Sequence, residues 1–380
     1  DRIERFDHDL FLATVTKTPD ATTSLTDSIL LTSYLINGGA TNYFMATDLL
    51  GRPVWYYDEV AQEDKAGTVL ASPVAGGSML MIFRLGDISS QILRELDLAG
   101  NTIRETNVRR VSDQLERMGH DRITSFHHDA QRLANGHTIV IASVERILTD
   151  VQGPGPINIL GDMLVDLDEN LQVVWAWNGF DHLDVTEQAI LGETCVSQGP
   201  GCPPIFLTEE ANDWTHANSV DYSPADGHLI ISMRHHDSVY KLDYANGTGS
   251  GAVVWRLGHN GDFTYNSNSS WPQFSHQHDA RYSGPLLTVF DNGNIRRQEL
   301  GSDQNSRGQV LLLDETNLVA HLVGNYDLGV YSFAVGSGEQ LRNGNFFFTN
   351  GFINPGPSPS HQSEEVTTPG ASNFVSAGPG

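Results

Sequence analysis

The sequence predicts an all-β fold, a six-bladed β-propeller with four-stranded blades around a central channel. Three observations carry the prediction. Short strand-like runs with Gly, Asn and Asp turns fill the chain from end to end, and helical periodicity is confined to stretches 109–117 and 184–193. One hairpin pattern returns about six times, as repeated blades require. A histidine recurs in one local context, just before a short apolar run, at His128, His216 and His278.

The hairpin pattern is a strand ending in an acidic or polar residue, a Gly/Asn turn, and a β-branched strand that often closes in tryptophan. In chain order it appears as MATDLLGRPVWYYD (45–58), LRELDLAGNTIRET (93–106), LVDLDENLQVVWAW (164–177) and YKLDYANGTGSGAVVWRLG (240–258). LLLDETNLVAHLVG (311–324) is a weaker copy and SEEVTTPGASNFVS (363–376) a degenerate one. Each reads as the outer hairpin of a blade, preceded by inner strands such as NGHTIVIA, DGHLIISM or NGNFFFTN. Trp55, Trp175 and Trp255 are expected to pack between neighbouring blades. Residues 28–380 read as a single propeller domain. An insertion at 181–212 lies between the third and fourth blades, and a Pro/Gly-rich stretch at 352–360 interrupts the last. Long insertions between blades sit over one face and shape pockets. Residues 1–27 carry no repeat signature and read as an N-terminal arm or an extra strand. The pattern leaves open whether the last blade closes with C-terminal strands alone or borrows an N-terminal one.

Composition narrows the function classes. The chain has 380 residues, a formal net charge of −25 and a pI near 4.7. Such a field repels nucleic acid and anionic lipid, so neither is an expected partner. An anionic substrate would need a local positive pocket. No apolar stretch approaches the ~20 residues of a membrane helix. Cys195 and Cys202, in CVSQGPGC, flank a short Gly/Pro loop that suits a local disulfide. That pair, a start at Asp1 that fits removal of a signal peptide, and sequons at Asn246 and Asn268 lean towards a periplasmic or extracellular location. Oligomeric state is not legible.

In a propeller, the loop leading into each innermost strand faces the channel mouth. His128, His216 and His278 occupy that place in three successive units, with Asn218 and, in the strand that follows, Arg234 beside them. His127, His235, His236 and His276 are assigned to structure. Asp129 and Asp279 read as turn caps, and Asp291-Asn292-Gly293 reads as a turn after a strand. Two chemistries remain open. Three imidazoles suit a transition metal, but no carboxylate recurs as a fourth ligand and Arg234 opposes a cation. The other is an anion site, with arginine, histidine and Asn218 N–H donors around a sulfuryl, phosphoryl or carboxylate group. A histidine there can also act as nucleophile.

At these residues the sequence resembles the PAPS-independent aryl-sulfate sulfotransferases, a six-bladed propeller family. The likeness is densest over DWTHANSVDY (213–222), SMRHHDSVYKLD (232–243), VVWRLG (253–258) and QHDARYSGPLLTVFDNG (277–293). HHDAQRLANGHTIVI fits as well, and the pattern from 28 to 376 fits more loosely. The resemblance implies ping-pong sulfuryl transfer from an aryl sulfate to a phenol, with His278 as nucleophile and a sulfohistidine intermediate. His128, His216 and Arg234 fall on the family's other catalytic positions, Asn218 on a substrate-binding one, and Tyr331 is a candidate channel tyrosine. It implies neither metal nor nucleotide, and no Walker loop or Rossmann fingerprint occurs. The sequence departs from the family in its length and in its reduced N-terminal portion. The cysteine pair does not match the family's disulfide. Two other readings stay open: a propeller lyase acting on anionic polysaccharide, with a long open groove, and a non-catalytic binding or assembly scaffold.

Overall fold

A computed structural model describes residues 14–16, 29–34, 43–57, 68–83, 91–197, 199, 201–353, 360–367 and 371–379. Most of the 1–27 arm and part of the 352–360 stretch lie outside the described residues.

Antiparallel sheets follow one another in sequence order, as a propeller requires. Five of them carry four or more strands and form full blades. The sheet of Ile29–Tyr34, Tyr43–Asp48 and Pro53–Tyr57 has three. Against the expected six four-stranded blades, the described residues thus give five full blades and one three-stranded sheet. The predicted outer hairpins are present. Pro156–Leu167 pairs with Val173–Asn178, Ser238–Leu242 with Val253–Gly258, and Arg307–Asp314 with Val319–Asp327. The N-terminal strand Thr14–Thr16 adds to the last blade, Thr14 opposite Ala377. The last blade therefore holds its own four C-terminal strands and borrows a fifth from the other end of the chain. Pairing the two chain ends covers an edge that would otherwise be open.

The core lies between blades rather than inside one. Leu80, Ile82, Phe126, Val140 and Val165 join the second and third blades; Ile141, Trp177, Val220, Ile231 and Tyr244 join the third and fourth. Central strands buried on both faces therefore read as continuous apolar runs, such as TIVIASV at the start of Thr138–Thr149. The tryptophans seal these seams. Trp55 Nε1 donates to the Leu98 carbonyl at 2.9 Å, and Trp175 Nε1 to the Gly249 carbonyl of the next blade at 3.1 Å. Trp255 is buried and meets Phe263 edge-on at 5.4 Å.

The helix expected at 109–117 spans Val108–Met118. Asn107 caps it by accepting from the Arg110 N–H, Gly119 ends it at φ 87°, and Val111 and Leu115 enter the core. The 184–193 stretch is not a helix. Its acidic and apolar residues serve tertiary contacts in turns, and the only helix nearby is the single turn Gly179–His182. The insertion supplies strands Thr194–Val196 and Glu210–Asp213, and the second extends the third blade by pairing in parallel with Ile159–Leu160. A Cys195–Cys202 disulfide, Cα–Cα 5.4 Å, closes the loop beside it.

Candidate active site

Each histidine-bearing inner strand carries a β-bulge at the same level. Register shifts fall between Val140 and Ala142 opposite His127–Asp129, between Ala217 and Ser219, and between His278 and Arg281. Left-handed backbone accompanies them: φ is 54° at His128, 49° at His216, 50° at His276 and 52° at Asp279. Non-glycine residues at positive φ cost energy and persist where surrounding structure holds them. The bulges turn the imidazoles out of the sheet alternation and towards one another. The His128 ring centroid lies 4.9 Å from that of His216 and 6.5 Å from that of His278. The predicted histidines thus meet.

Their Nδ1 atoms are all engaged from behind, by chemically different partners. His216 Nδ1 faces the Asp213 carboxylate at 2.7 Å. His278 Nδ1 faces the Asn292 amide oxygen at 2.7 Å. His128 Nδ1 faces the Nδ1 of His127 at 2.8 Å. Asn292 is oriented by its own amide nitrogen, which donates to the carbonyls of Ser332 and Val335. Its oxygen must therefore accept, so His278 carries its proton on Nδ1 and a lone pair on Nε2. The Val335 N–H caps that lone pair at 3.2 Å, the long end of hydrogen bonding.

Burial first, and then the Arg234 charge, push the His278 imidazole down to about pKa 3. Burial also lowers His128 well below the ordinary histidine value, and the surrounding imidazoles of His216, His127 and His278 and the Arg234 guanidinium add to it. His128 is half-buried. Both rings are neutral near pH 7.

Arg234 sits not in a strand but in the 3₁₀ turn Arg234–His236 that follows His228–Met233. It is 9% exposed and its Nε has no protein partner among the described residues. Its Nη1 donates to His235 Nε2 at 2.7 Å and its Nη2 to the Phe333 carbonyl at 3.2 Å. Asn218 donates one N–H to the Gln277 carbonyl at 2.7 Å, which leaves one N–H and an unpartnered Oδ1. Tyr331 is placed differently. Its hydroxyl donates to Asn294 Oδ1 at 3.2 Å, Arg297 covers its ring at 4.2 Å, and the pair lines a cavity of about 520 Å³ with Asp303 and Asn305. Burial raises its pKa, so the phenol keeps its proton.

Several neighbours read as structural or as turn residues in the sequence belong to this cluster. His235 donates from Nδ1 to the Asp213 carbonyl at 2.7 Å while receiving Arg234. His276 is fully buried between Asp237 Oδ1 at 2.8 Å and Glu193 Oε1 at 2.5 Å. The contacts with these two carboxylates overcome burial and raise its pKa. Glu193 comes from the insertion and also lies 3.9 Å from Arg234 Nη1. Asp279 and Asp129 do more than cap turns: both pair with Arg281, at 2.6 and 3.0 Å. Asp213, His216 and His235 bring ligand atoms within 4.8 Å of one another. Both ring nitrogens of His235 are occupied there and one faces a guanidinium, so the set does not fit a resident cation.

A family model described as Arylsulfotransferase (ASST) matches residues 14–375. The chain belongs to this family. Family membership supports aryl sulfotransfer in general, with small aryl sulfates and phenols as the implied reactants. No curated protein matches the sequence. Among solved structures, a putative 6-phosphogluconolactonase from Bacteroides fragilis is 10% identical with TM-score 0.42, covering 94% of this chain and 99% of that one. A luciferin-regenerating enzyme is 12% identical with TM-score 0.39, covering 97% and 92%. A protein of unknown function from Dyadobacter fermentans is 7% identical with TM-score 0.39, covering 83% and 95%. No helix among the described residues is long and apolar enough to cross a membrane.

Proposed function

We propose that this ASST-family member transfers a sulfuryl group from an aryl sulfate to a phenolic acceptor through a sulfohistidine on His278. The observation that carries the reading is the orientation of His278: a neutral imidazole, its Nδ1 held by Asn292, its Nε2 lone pair met only by the long Val335 N–H contact, and its ring 6.5 Å from that of His128. In the first half-reaction Nε2 displaces the Val335 N–H and attacks sulfur. The S–N bond forms as the bond from sulfur to the aryl oxygen breaks, and the departing phenolate takes a proton from the cluster. In the second, the acceptor phenol gives up its proton, attacks sulfur and frees His278. No metal or nucleotide takes part in these steps.

Arg234 and the remaining N–H of Asn218 serve the equatorial oxygens, where charge is spread during transfer. Arg234 also keeps His278 unprotonated, the state a nucleophile needs. His216, its Nδ1 engaged by the Asp213 carboxylate, is assigned to orienting the phenolic oxygen, and His128 to proton transfer there. Tyr331 borders the same face beside Arg234 and Phe333 and is assigned to substrate binding. The disulfide favours an oxidising, extracellular or periplasmic setting.

Stopped-flow mixing with 4-nitrophenyl sulfate and no acceptor tests the reading. A stoichiometric burst of 4-nitrophenolate is expected, then a stall that an added phenol relieves. The burst is absent in His278→Ala. Wild-type protein that gives no burst under neutral or mildly alkaline conditions contradicts the reading and leaves the lyase and scaffold alternatives.

A further inference from the structure

His127 stands behind His128 as no equivalent residue stands behind His216 or His278. Its Nδ1 lies 2.8 Å from His128 Nδ1, and its Nε2 lies 3.0 Å from Asp162 Oδ1. His127 is 7% and Asp162 3% exposed. Asp162 is fixed from the next blade: Thr215 Oγ1 donates to its Oδ2, and the Ala217 N–H reaches the same atom at 2.7 Å. Burial works against its charge, but its contacts with His127, Thr215 and Ala217 outweigh burial and hold it ionised. A lone pair on His127 Nε2 would repel this carboxylate, so that nitrogen carries a proton. The direct contact of the two Nδ1 atoms then needs one proton between them.

We propose that His127 and Asp162 are positioning residues that form a proton relay behind His128, holding in the loaded enzyme one proton that is released in the first half-reaction and recovered in the second. The inference rests on the sulfuryl-transfer reading above. In the loaded state His127 carries both N–H groups beside the Asp162 carboxylate, and His128 carries its proton on Nε2. When the S–O bond of the donor breaks, the Nε2 proton of His128 goes to the phenolate, and the Nδ1 proton of His127 crosses to His128 Nδ1. His127 is left neutral. In the second half-reaction the acceptor phenol gives its proton to His128 Nε2, and the Nδ1 proton returns to His127. One proton leaves and one enters per turnover. The relay places the positive charge next to Asp162, away from Arg234, where a charged His128 would be opposed.

The relay matters where the leaving oxygen is basic, which gives the test. Burst rates are compared for 4-nitrophenyl sulfate, whose phenolate leaves unaided, and 4-methylphenyl sulfate, whose phenolate needs a proton. His127→Gln is expected to change the first by no more than a few-fold and to slow the second by about 10²–10³-fold, the range of general acid catalysis. Asp162→Asn should follow the same pattern more weakly, an independent check should His127→Gln fold poorly. Equal losses on both donors, or none on either, overturn the relay while sulfuryl transfer stands. Absence of a burst in wild-type protein overturns both together.

Discussion

Asn292 holds His278 in a single tautomer: the imidazole Nδ1 donates to the amide oxygen at 2.7 Å, while the amide nitrogen is tied to two backbone carbonyls at 2.8 and 3.0 Å. His216, only one blade away, has a carboxylate in the equivalent place. The neutral partner adds no charge that would favour protonation of His278, whereas the partner of His216 is a carboxylate that fixes the orientation of its ring. Fold and bulge present both rings alike; the residue behind each divides their roles.

Exchanging that partner is expected to move the chemistry predictably. Asn292→Asp places a negative charge behind His278 and raises its pKa, so the acid limb of the burst-rate profile shifts towards neutral pH by about one unit or more. Asn292→Ala frees the ring and lowers the burst rate about 10–100-fold without that shift. Burst kinetics across pH separate the two outcomes.

Glu193 is expected to act on substrate binding. It lies 2.5 Å from His276 Nε2 and 3.9 Å from Arg234 Nη1, and so helps to fix the guanidinium. Glu193→Gln should raise the donor KM about ten-fold with a smaller change in kcat. A change in kcat alone would place Glu193 in the chemical step instead.

Acid lability follows from the buried neutral histidines. Burial brings His236 down to about pKa 4 and His278 to about 3, and lowers His128 and His235 well below their ordinary value. In this window the unfolded chain binds more protons than the folded one. The stability these groups contribute is complete above their ordinary value, about pH 6.5, and falls as pH drops towards 4. His276, raised by its two carboxylates, runs the other way: its contribution is full below pH 6.5 or so and is lost as pH rises through its folded value. His236→Gln should flatten the fall in unfolding free energy between about pH 6.5 and 4 by roughly 2–3 kcal/mol. Urea titrations at several pH values measure it, and an unchanged slope would contradict the assignment.

Lys241 ties blades together from inside the fold. It is 2% exposed, lies 2.6 Å from Asp226 and 2.7 Å from Glu315, and faces the rings of Trp255 and Tyr282. Lys241→Ala leaves two carboxylates facing each other over a void and should cost about 3 kcal/mol in chemical denaturation. Activity per folded molecule should be retained, since among the described residues Lys241 meets Asp226, Glu315, Trp255 and Tyr282 and none of the clustered histidines.

The hairpins were legible because each blade repeats the same local chemistry, a turn followed by a strand closing in tryptophan. The histidines were legible because His128, His216 and His278 recur in one context. Asn292 was not: a DNG turn after a strand reads as a turn, and only the fold turns its amide onto His278. His127 and Asp162 are 35 residues apart, and nothing local announces that the third blade's long hairpin brings them together. Asp213 and His216, three residues apart in DWTH, offered a signal of this kind, since that spacing lets a carboxylate reach the imidazole across a turn. The 184–193 stretch misled because its apolar spacing serves turn contacts, while its acidic residues Glu187 and Glu193 bind Arg256 and His276.

The most direct test of the central claim is peptide mapping by mass spectrometry after single turnover with 4-nitrophenyl sulfate in the absence of acceptor. A sulfuryl adduct on His278, lost on addition of a phenol and absent from His278→Ala, is the predicted result. Phenol release without an adduct on any histidine, or an adduct on His128 or His216 that survives in His278→Ala, would contradict it.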